Sequence, residues 1–216
     1  MNVQAVIFDM DGVLFNTEAR GVEMTIFAAE QLNIPITREA AINSVGLSGR
    51  ACEDYYKRLY GFDIPYDEFS ALWKRGMMEA AQRDGMDIKP GVVPLLSALR
   101  QKGIKTGIAT STGEITVKKY LELAGMSECF DALVCGDMVK NRKPDPETFL
   151  LAAKLLCVRP DLCIGIEDSS HGLHALRASG MISVFVPDLF EPDDEIMDCV
   201  DYCFDTIDKV ITLIND

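Results

Sequence analysis

Five short apolar runs, each ending at an acid or a small hydroxyl residue, constrain this chain most. They span residues 3–9, 105–111, 132–137, 163–168 and 182–188. A strand buried on both faces reads as a continuous apolar run, and parallel strands of layered α/β proteins are buried in that way. Residues 202–204 are a candidate sixth strand at the edge. Helical patterns lie between the runs. Residues 92–102 put Leu95, Leu96 and Leu99 on one face and stop at Gly103, and residues 114–124 group Val117, Tyr120, Leu121 and Ala124 before Gly125. Residues 145–156 open with Asp145 at the N-cap and Pro146 at the first helical position, a strong start signal. Residues 169–179 run into Gly180, a C-terminal stop. Strands alternating with helices predict the α/β class, a Rossmann-like parallel sheet with helices on both faces.

Residues 17–86 break that alternation. They hold no apolar run bounded by turns, and Phe69, Leu72, Trp73, Met77 and Ala80 recur at three- and four-residue steps, the period of a helix. Pro35, Gly46, Gly49, Gly61 and Pro65 punctuate the stretch. The reading is an inserted bundle of about four short helices, a small α-helical cap domain over residues 17–86. The α/β core domain then comprises residues 1–16 and 87–216.

In an open parallel sheet, ligands bind beyond the carboxyl ends of the strands. The first run is followed by Asp9, Met10, Asp11 and Gly12, and the second by Thr110, Ser111 and Thr112. Lys143 lies after the third, and the fourth closes on Glu167 and Asp168. Four acids, a lysine and hydroxyls gathered on one rim suit phosphoryl transfer to a carboxylate. One aspartate attacks phosphorus, and the other gives and takes the proton of the leaving group and of water. Gly12 permits a tight turn whose N–H groups face phosphate oxygens. Glu167 and Asp168 offer hard oxygen ligands, which favour Mg²⁺ over zinc. Thr110 and Ser111 donate to phosphoryl oxygens, and Lys143, held by Pro144, neutralises the charge of the nucleophile and the transferring group. Each piece alone has an ordinary structural reading: a turn, a helix cap, a surface lysine. Their occurrence in order, each at the end of a different strand, carries the functional one.

Composition removes several other classes. Acids outnumber bases 34 to 21 in the 216 residues, a formal charge of −13, which repels a phosphate backbone and predicts no nucleic-acid partner. No stretch of eighteen apolar residues is present, so no membrane association is expected. Residues 1–11 lack a basic leader, and the run Ala5-Val6-Ile7-Phe8 stops at an acid, unlike a signal peptide. Seven cysteines are scattered from Cys52 to Cys203 with no C-x-x-C pair, the usage of core thiols in a reducing compartment. A cytoplasmic protein, a monomer or weak dimer, is expected.

On these residues the chain resembles the haloacid dehalogenase superfamily of phosphatases and phosphomutases. Phe8-Asp9-Met10-Asp11-Gly12-Val13 is similar to its first motif and Ala109-Thr110-Ser111 to its second. Arg142-Lys143-Pro144-Asp145-Pro146 is similar to the third and Gly165-Ile166-Glu167-Asp168-Ser169 to the fourth. The helical insertion resembles the cap of the β-phosphoglucomutase-like branch. The resemblance implies Asp9 as nucleophile and Asp11 as general acid/base, with Thr110 and Lys143 holding the phosphoryl group. It implies Mg²⁺ on Asp9, Asp168 and the backbone carbonyl of Asp11, with Glu167 either a further ligand or a residue behind the ligands.

The cap separates hydrolysis from mutase chemistry. Where the mutase carries a cap histidine this chain has Gly21, and the mutase's cap lysine aligns near Gly76. The mutase's cap arginine has a displaced match in Gly46-Leu47-Ser48-Gly49-Arg50. These departures favour an Mg²⁺-dependent phosphatase of a small phosphorylated metabolite, a sugar or polyol phosphate, with a β-phosphoglucomutase-type phosphomutase as the alternative. Arg50 is the leading cap residue for substrate binding, and Arg20 a second. A receiver-like phospho-acceptor module also carries an aspartyl phosphate on an α/β sheet. Receivers, however, place acceptor and acidic pair after different strands and lack a helical insertion.

Overall fold

The computed structural model describes residues 2–45, 47, 49–189 and 194–214, with the backbone alone at Arg50 and Glu195. The chain divides into two compact units, residues 1–16 with 86–216, and residues 17–85.

In the first unit the described residues form one six-stranded sheet in the order β3-β2-β1-β4-β5-β6. The strands are β1 Ala5–Phe8, β2 Lys105–Ala109, β3 Ala132–Val134, β4 Cys163–Glu167, β5 Ile182–Phe185 and β6 Tyr202–Cys203, and every pairing is parallel. β1 is central, and all four of its residues are fully buried, which is why its sequence is apolar without alternation. The chain winds from β1 outward through β2 to β3, then returns to β1's other side for β4, β5 and β6. That reversal beside β1 is the switch point where such sheets bind ligands. Phe8 is in register with Ile108 of β2 and Ile166 of β4, so the three strands end nearly level.

The ladders are shorter than the apolar runs. Residues 9, 110–111, 168 and 186–188 leave the sheet at its carboxyl edge. One sheet face packs under α7 Glu147–Leu155 and α8 Ser170–Ser179, with Ile7, Val134, Phe149, Ala152, Leu173 and Leu176 in a continuous core. α5 Val92–Lys102 packs on β2 and on the C-terminal segment, and α6 Glu114–Leu123 joins β2 to β3. Gly103 and Gly180 cap α5 and α8 in the left-handed conformation, as their positions predict. α7 starts one residue later than expected. Pro146 takes helical angles as the N-cap, and Asp145 Oδ1 accepts from the Glu147 N–H at 2.9 Å, so the acid caps the helix from one residue further out.

The second unit contains α1 Thr17–Gln31, α2 Arg38–Ile42, α3 Arg50–Tyr60 and α4 Tyr66–Asp84. Phe69, Met77 and Ala80 are buried as their spacing predicts, and Phe69 packs edge-on against a fully buried Tyr56 whose hydroxyl hydrogen-bonds Ser44 at 2.7 Å. α1 and α4 run 15 and 19 residues, longer than the short helices expected. The two helices pack on each other. A Cβ at Gly21 would lie 3.3 Å from Trp73, and one at Gly76 would lie 2.7 Å from Met24 Sδ. These glycines therefore trade helix propensity for close approach of the two helices. Among the described residues no helix is long and apolar enough to cross a membrane.

Candidate active site

The carboxyl ends of four neighbouring strands meet around Lys143. Asp9 follows β1 and is still anchored to β4, its N–H donating to Ile166 O at 2.9 Å. Thr110 follows β2, is 1% exposed, and donates its N–H to Val134 O at 3.0 Å. The Lys143 ammonium arrives from the loop after β3 and donates to Asp9 Oδ1, to Glu167 Oε1 at 2.6 Å and to Ala109 O at 2.8 Å. It also sits 4.6 Å from the centre of the Phe149 ring. The Lys143–Pro144 peptide is cis.

Glu167 has both oxygens engaged. Oε1 takes the lysine, and Oε2 accepts from the N–H groups of Asp168 and Ser169 and from the Ser169 hydroxyl at 2.9–3.1 Å. Gly172 makes room for this carboxylate at the start of α8: a Cβ there would fall 1.8 Å from Glu167 Cδ.

The turn after Asp9 is folded on itself. Gly12 N–H donates to Phe15 O at 3.0 Å, and Leu14 N–H to Met10 O at 2.9 Å. Gly12 has φ +75°, a conformation that side chains rarely adopt. Two residues on from Asp9, the half-buried Asp11 accepts at Oδ2 from the Thr112 hydroxyl at 2.7 Å. Thr112 in turn donates its N–H to the Thr110 hydroxyl oxygen at 3.1 Å. Thr110, Thr112 and Asp11 thus form a chain that links the ends of β2 and β1. Ser111, between the two threonines, is exposed.

Burial raises the Asp9 carboxyl to about 8; Lys143 opposes the shift, while Glu167 and Asp11 add to it. Burial alone would pull the Lys143 ammonium down, but Asp9 and Glu167 outweigh it and hold lysine above its ordinary range. Burial disfavours the charged form of both groups, and the charges facing each other across the pair decide the balance.

A small hard cation fits this arrangement. Asp9 and Asp168 are both buried, 7% and 2% exposed. The turn is built against Asp168 so closely that a Cβ on Gly12 would lie 1.9 Å from its Oδ2. Asp9, Asp168 and the Asp11 backbone carbonyl would be an all-oxygen donor set, of the kind that suits Mg²⁺ and disfavours thiolate-seeking metals.

The rim thus gathers Asp9, Thr110, Lys143 and Glu167, with Asp11 joined to it through Thr112. Arg20 belongs to the helical unit, where both its terminal nitrogens donate to the Gly85 carbonyl at 3.2 Å. That bond ties the start of α1 to the end of α4. Gly46, Ser48 and the Arg50 side chain lie outside the described residues. Two residues here had no assigned role on sequence grounds. One is Thr112, whose partner is 101 residues away. The other is Lys89, whose ammonium reaches Gly12 O at 2.6 Å and Asp188 Oδ1 at 2.8 Å. A lysine two residues before a glycine-started helix carries no signal of its own. Only the chain's return beside the first turn reveals it.

Sheet and rim together define a Rossmann-like hydrolase. The chain belongs to the haloacid dehalogenase-like hydrolases, whose family model matches residues 3–180. It is 32% identical over 186 residues to the phosphorylated carbohydrates phosphatase of Thermotoga maritima, covering 85% of this chain and 84% of that protein. It is 31% identical over 193 residues to the β-phosphoglucomutase of Bacillus subtilis, covering 85% and 83%. Among solved structures, the β-phosphoglucomutase of Clostridium difficile superposes with a TM-score of 0.80 at 26% identity, covering 99% of this chain and 96% of that one.

Proposed function

We propose that the protein is an Mg²⁺-dependent phosphatase of small phosphorylated sugars or polyols that works through an aspartyl phosphate. The observation that carries this reading is Asp9 itself, buried at the end of the central strand, ion-paired with Lys143 and two residues from Asp11. A carboxylate oxygen of Asp9 attacks phosphorus, and the bond from phosphorus to the substrate's ester oxygen breaks. The Asp11 carboxyl gives its proton to that departing oxygen. In the second half Asp11, now a carboxylate, takes a proton from water as the water oxygen attacks phosphorus. The acyl–phosphate O–P bond breaks, and Asp9 is restored. Lys143 balances the negative charge passing between Asp9 and the phosphoryl oxygens, and Glu167 keeps its ammonium in place. The Thr110 hydroxyl and the backbone after β2 hold the phosphoryl group. Asp9, Asp168 and the Asp11 carbonyl would hold Mg²⁺, which supplies Lewis-acid charge to the phosphoryl oxygens.

Hydrolysis is favoured over a mutase by Gly21 and Gly76. Both stand where α1 and α4 approach closely, a Cβ lying 3.3 Å from Trp73 at Gly21 and 2.7 Å from Met24 Sδ at Gly76, and neither residue has a side chain to offer a substrate. Seven free cysteines support a cytoplasmic setting. The test is phosphate release from a panel of sugar, polyol and nucleotide monophosphates with Mg²⁺. Turnover concentrated on sugars and polyols supports the reading. Isomerisation of β-glucose 1-phosphate in the presence of a sugar bisphosphate, with little phosphate release, would replace it by the mutase.

A further inference from the structure

We infer that Lys89, held by Asp188, is a positioning residue that fixes the nucleophile's turn through the Gly12 carbonyl and thereby sets the affinity of the site for Mg²⁺. The inference rests on the function proposed above and adds to it a residue from outside the four motifs.

Three observations carry it. First, Lys89 is placed by the backbone and not by chance on a surface. Its N–H donates to Leu14 O at 2.9 Å, and the preceding Ile88 forms an antiparallel bridge with Phe15. Second, the side chain is 14% exposed and that of Asp188 17%, so their ion pair at 2.8 Å is largely withdrawn from water. Such a pair holds its geometry better than an exposed one. Third, the ammonium's other contact, 2.6 Å to Gly12 O, falls on the residue whose Cα is pressed against Asp168. Asp188 follows β5 and has a carboxylate oxygen within 4.8 Å of one of Asp168. Lys89 therefore acts twice. It pins the carbonyl of a glycine held at φ +75°, and it neutralises Asp188, an acid close to Asp168. Without it the turn loses its anchor to β5, and Asp188 stands uncompensated beside a metal-binding carboxylate.

Two effects of removing the ammonium oppose each other, and this makes the inference testable. Loss of positive charge alone would strengthen binding of a cation. Loss of the fixed turn would weaken it, by about 10- to 100-fold where residues that orient ligands are removed. Mg²⁺ binding is measured by titration calorimetry on the full chain for wild type, Lys89→Met and Lys89→Met/Asp188→Asn, with p-nitrophenyl phosphate hydrolysis in parallel. Lys89→Met is expected to bind Mg²⁺ about 10- to 100-fold more weakly. The double variant, in which the charge balance is restored but the Gly12 contact is not, is expected to stay weak. Unchanged or tighter binding by Lys89→Met, or recovery in the double variant, overturns the inference. If Lys89→Met does not fold, Lys89→Gln replaces it under the same criterion. A wild type that binds Mg²⁺ but hydrolyses no phosphate ester would defeat the phosphatase reading, and the calorimetric comparison would still decide the role of Lys89.

Discussion

The Thr112 hydroxyl donates to Asp11 Oδ2 at 2.7 Å while its own amide is held by the Thr110 hydroxyl at 3.1 Å. The proposed acid/base is thus oriented from the end of β2, by a residue 101 positions away. A hydrogen bond to a charged group contributes roughly 1.5–3 kcal/mol. Thr112→Val is therefore expected to lower kcat about 10- to 100-fold on a sugar phosphate, and Thr112→Ser to retain most of it. Steady-state kinetics of the two variants check this; a Thr112→Val enzyme that keeps the rate while Thr112→Ser loses it would mean that the methyl group, not the hydroxyl, matters.

Asp11→Asn separates proton transfer from phosphorus chemistry. With a sugar phosphate, whose leaving alkoxide needs a proton, the rate is expected to fall about 10²- to 10⁴-fold. With p-nitrophenyl phosphate, whose leaving group departs unprotonated, the first half-reaction is expected to survive as a burst of nitrophenol. Rapid-quench kinetics on both substrates read the difference directly.

Gly12→Ala tests the turn. The new Cβ would fall 1.9 Å from Asp168 Oδ2 at a φ of +75°, so the turn and the carboxylate cannot both keep their places. The left-handed conformation itself costs about 1–2 kcal/mol for a residue with a side chain. The variant is expected to fold, with a lowered melting temperature, and to lose the Mg²⁺-dependent rise in thermal stability that the wild type gains from binding. A variant that keeps that rise would show that the turn plays no part in holding the cation.

The helical unit predicts a pH dependence of stability. Burial pushes the Tyr56 phenol above its ordinary range against the pull of the Ser44 hydrogen bond, and burial with the neighbouring Cys52 pushes Tyr66 up to about 12. Unfolded, both phenols ionise near 10. Their contribution is fully present below that pH. It is lost as pH rises toward the folded values, because the unfolded state then holds fewer protons. The slope is about 1.4 kcal/mol per pH unit for each phenol. Thermal melts between pH 9 and 11 are expected to show falling stability, with a shallower slope in Tyr56→Phe.

The fold was legible because parallel strands buried on both faces announce themselves as apolar runs, and because Gly103 and Gly180 stop helices wherever they stand. The lengths of α1 and α4 were not. The insertion reads as short helices, and nothing in the sequence marks Gly21 and Gly76 as points of close approach between two long ones. The rim was legible where residues sit directly at strand ends, as Asp9, Thr110 and Glu167 do. It was not legible where a side chain acts across the sheet. Lys89 and Thr112 are ordinary in their own neighbourhoods, and their partners are 77 and 101 residues distant. Arg20 likewise has a partner that the sequence does not reveal, the Gly85 carbonyl 65 residues away.

The central claim is a covalent bond between Asp9 and phosphorus, and chemical trapping tests it most directly. Protein turning over a sugar phosphate with Mg²⁺ is quenched into borohydride, which reduces an acyl phosphate to an alcohol, and the peptide holding residue 9 is sequenced by mass spectrometry. The account predicts homoserine in place of Asp9, and none in Asp9→Asn. Steady release of phosphate with Asp9 unmodified, or reduction at another acid, would contradict it.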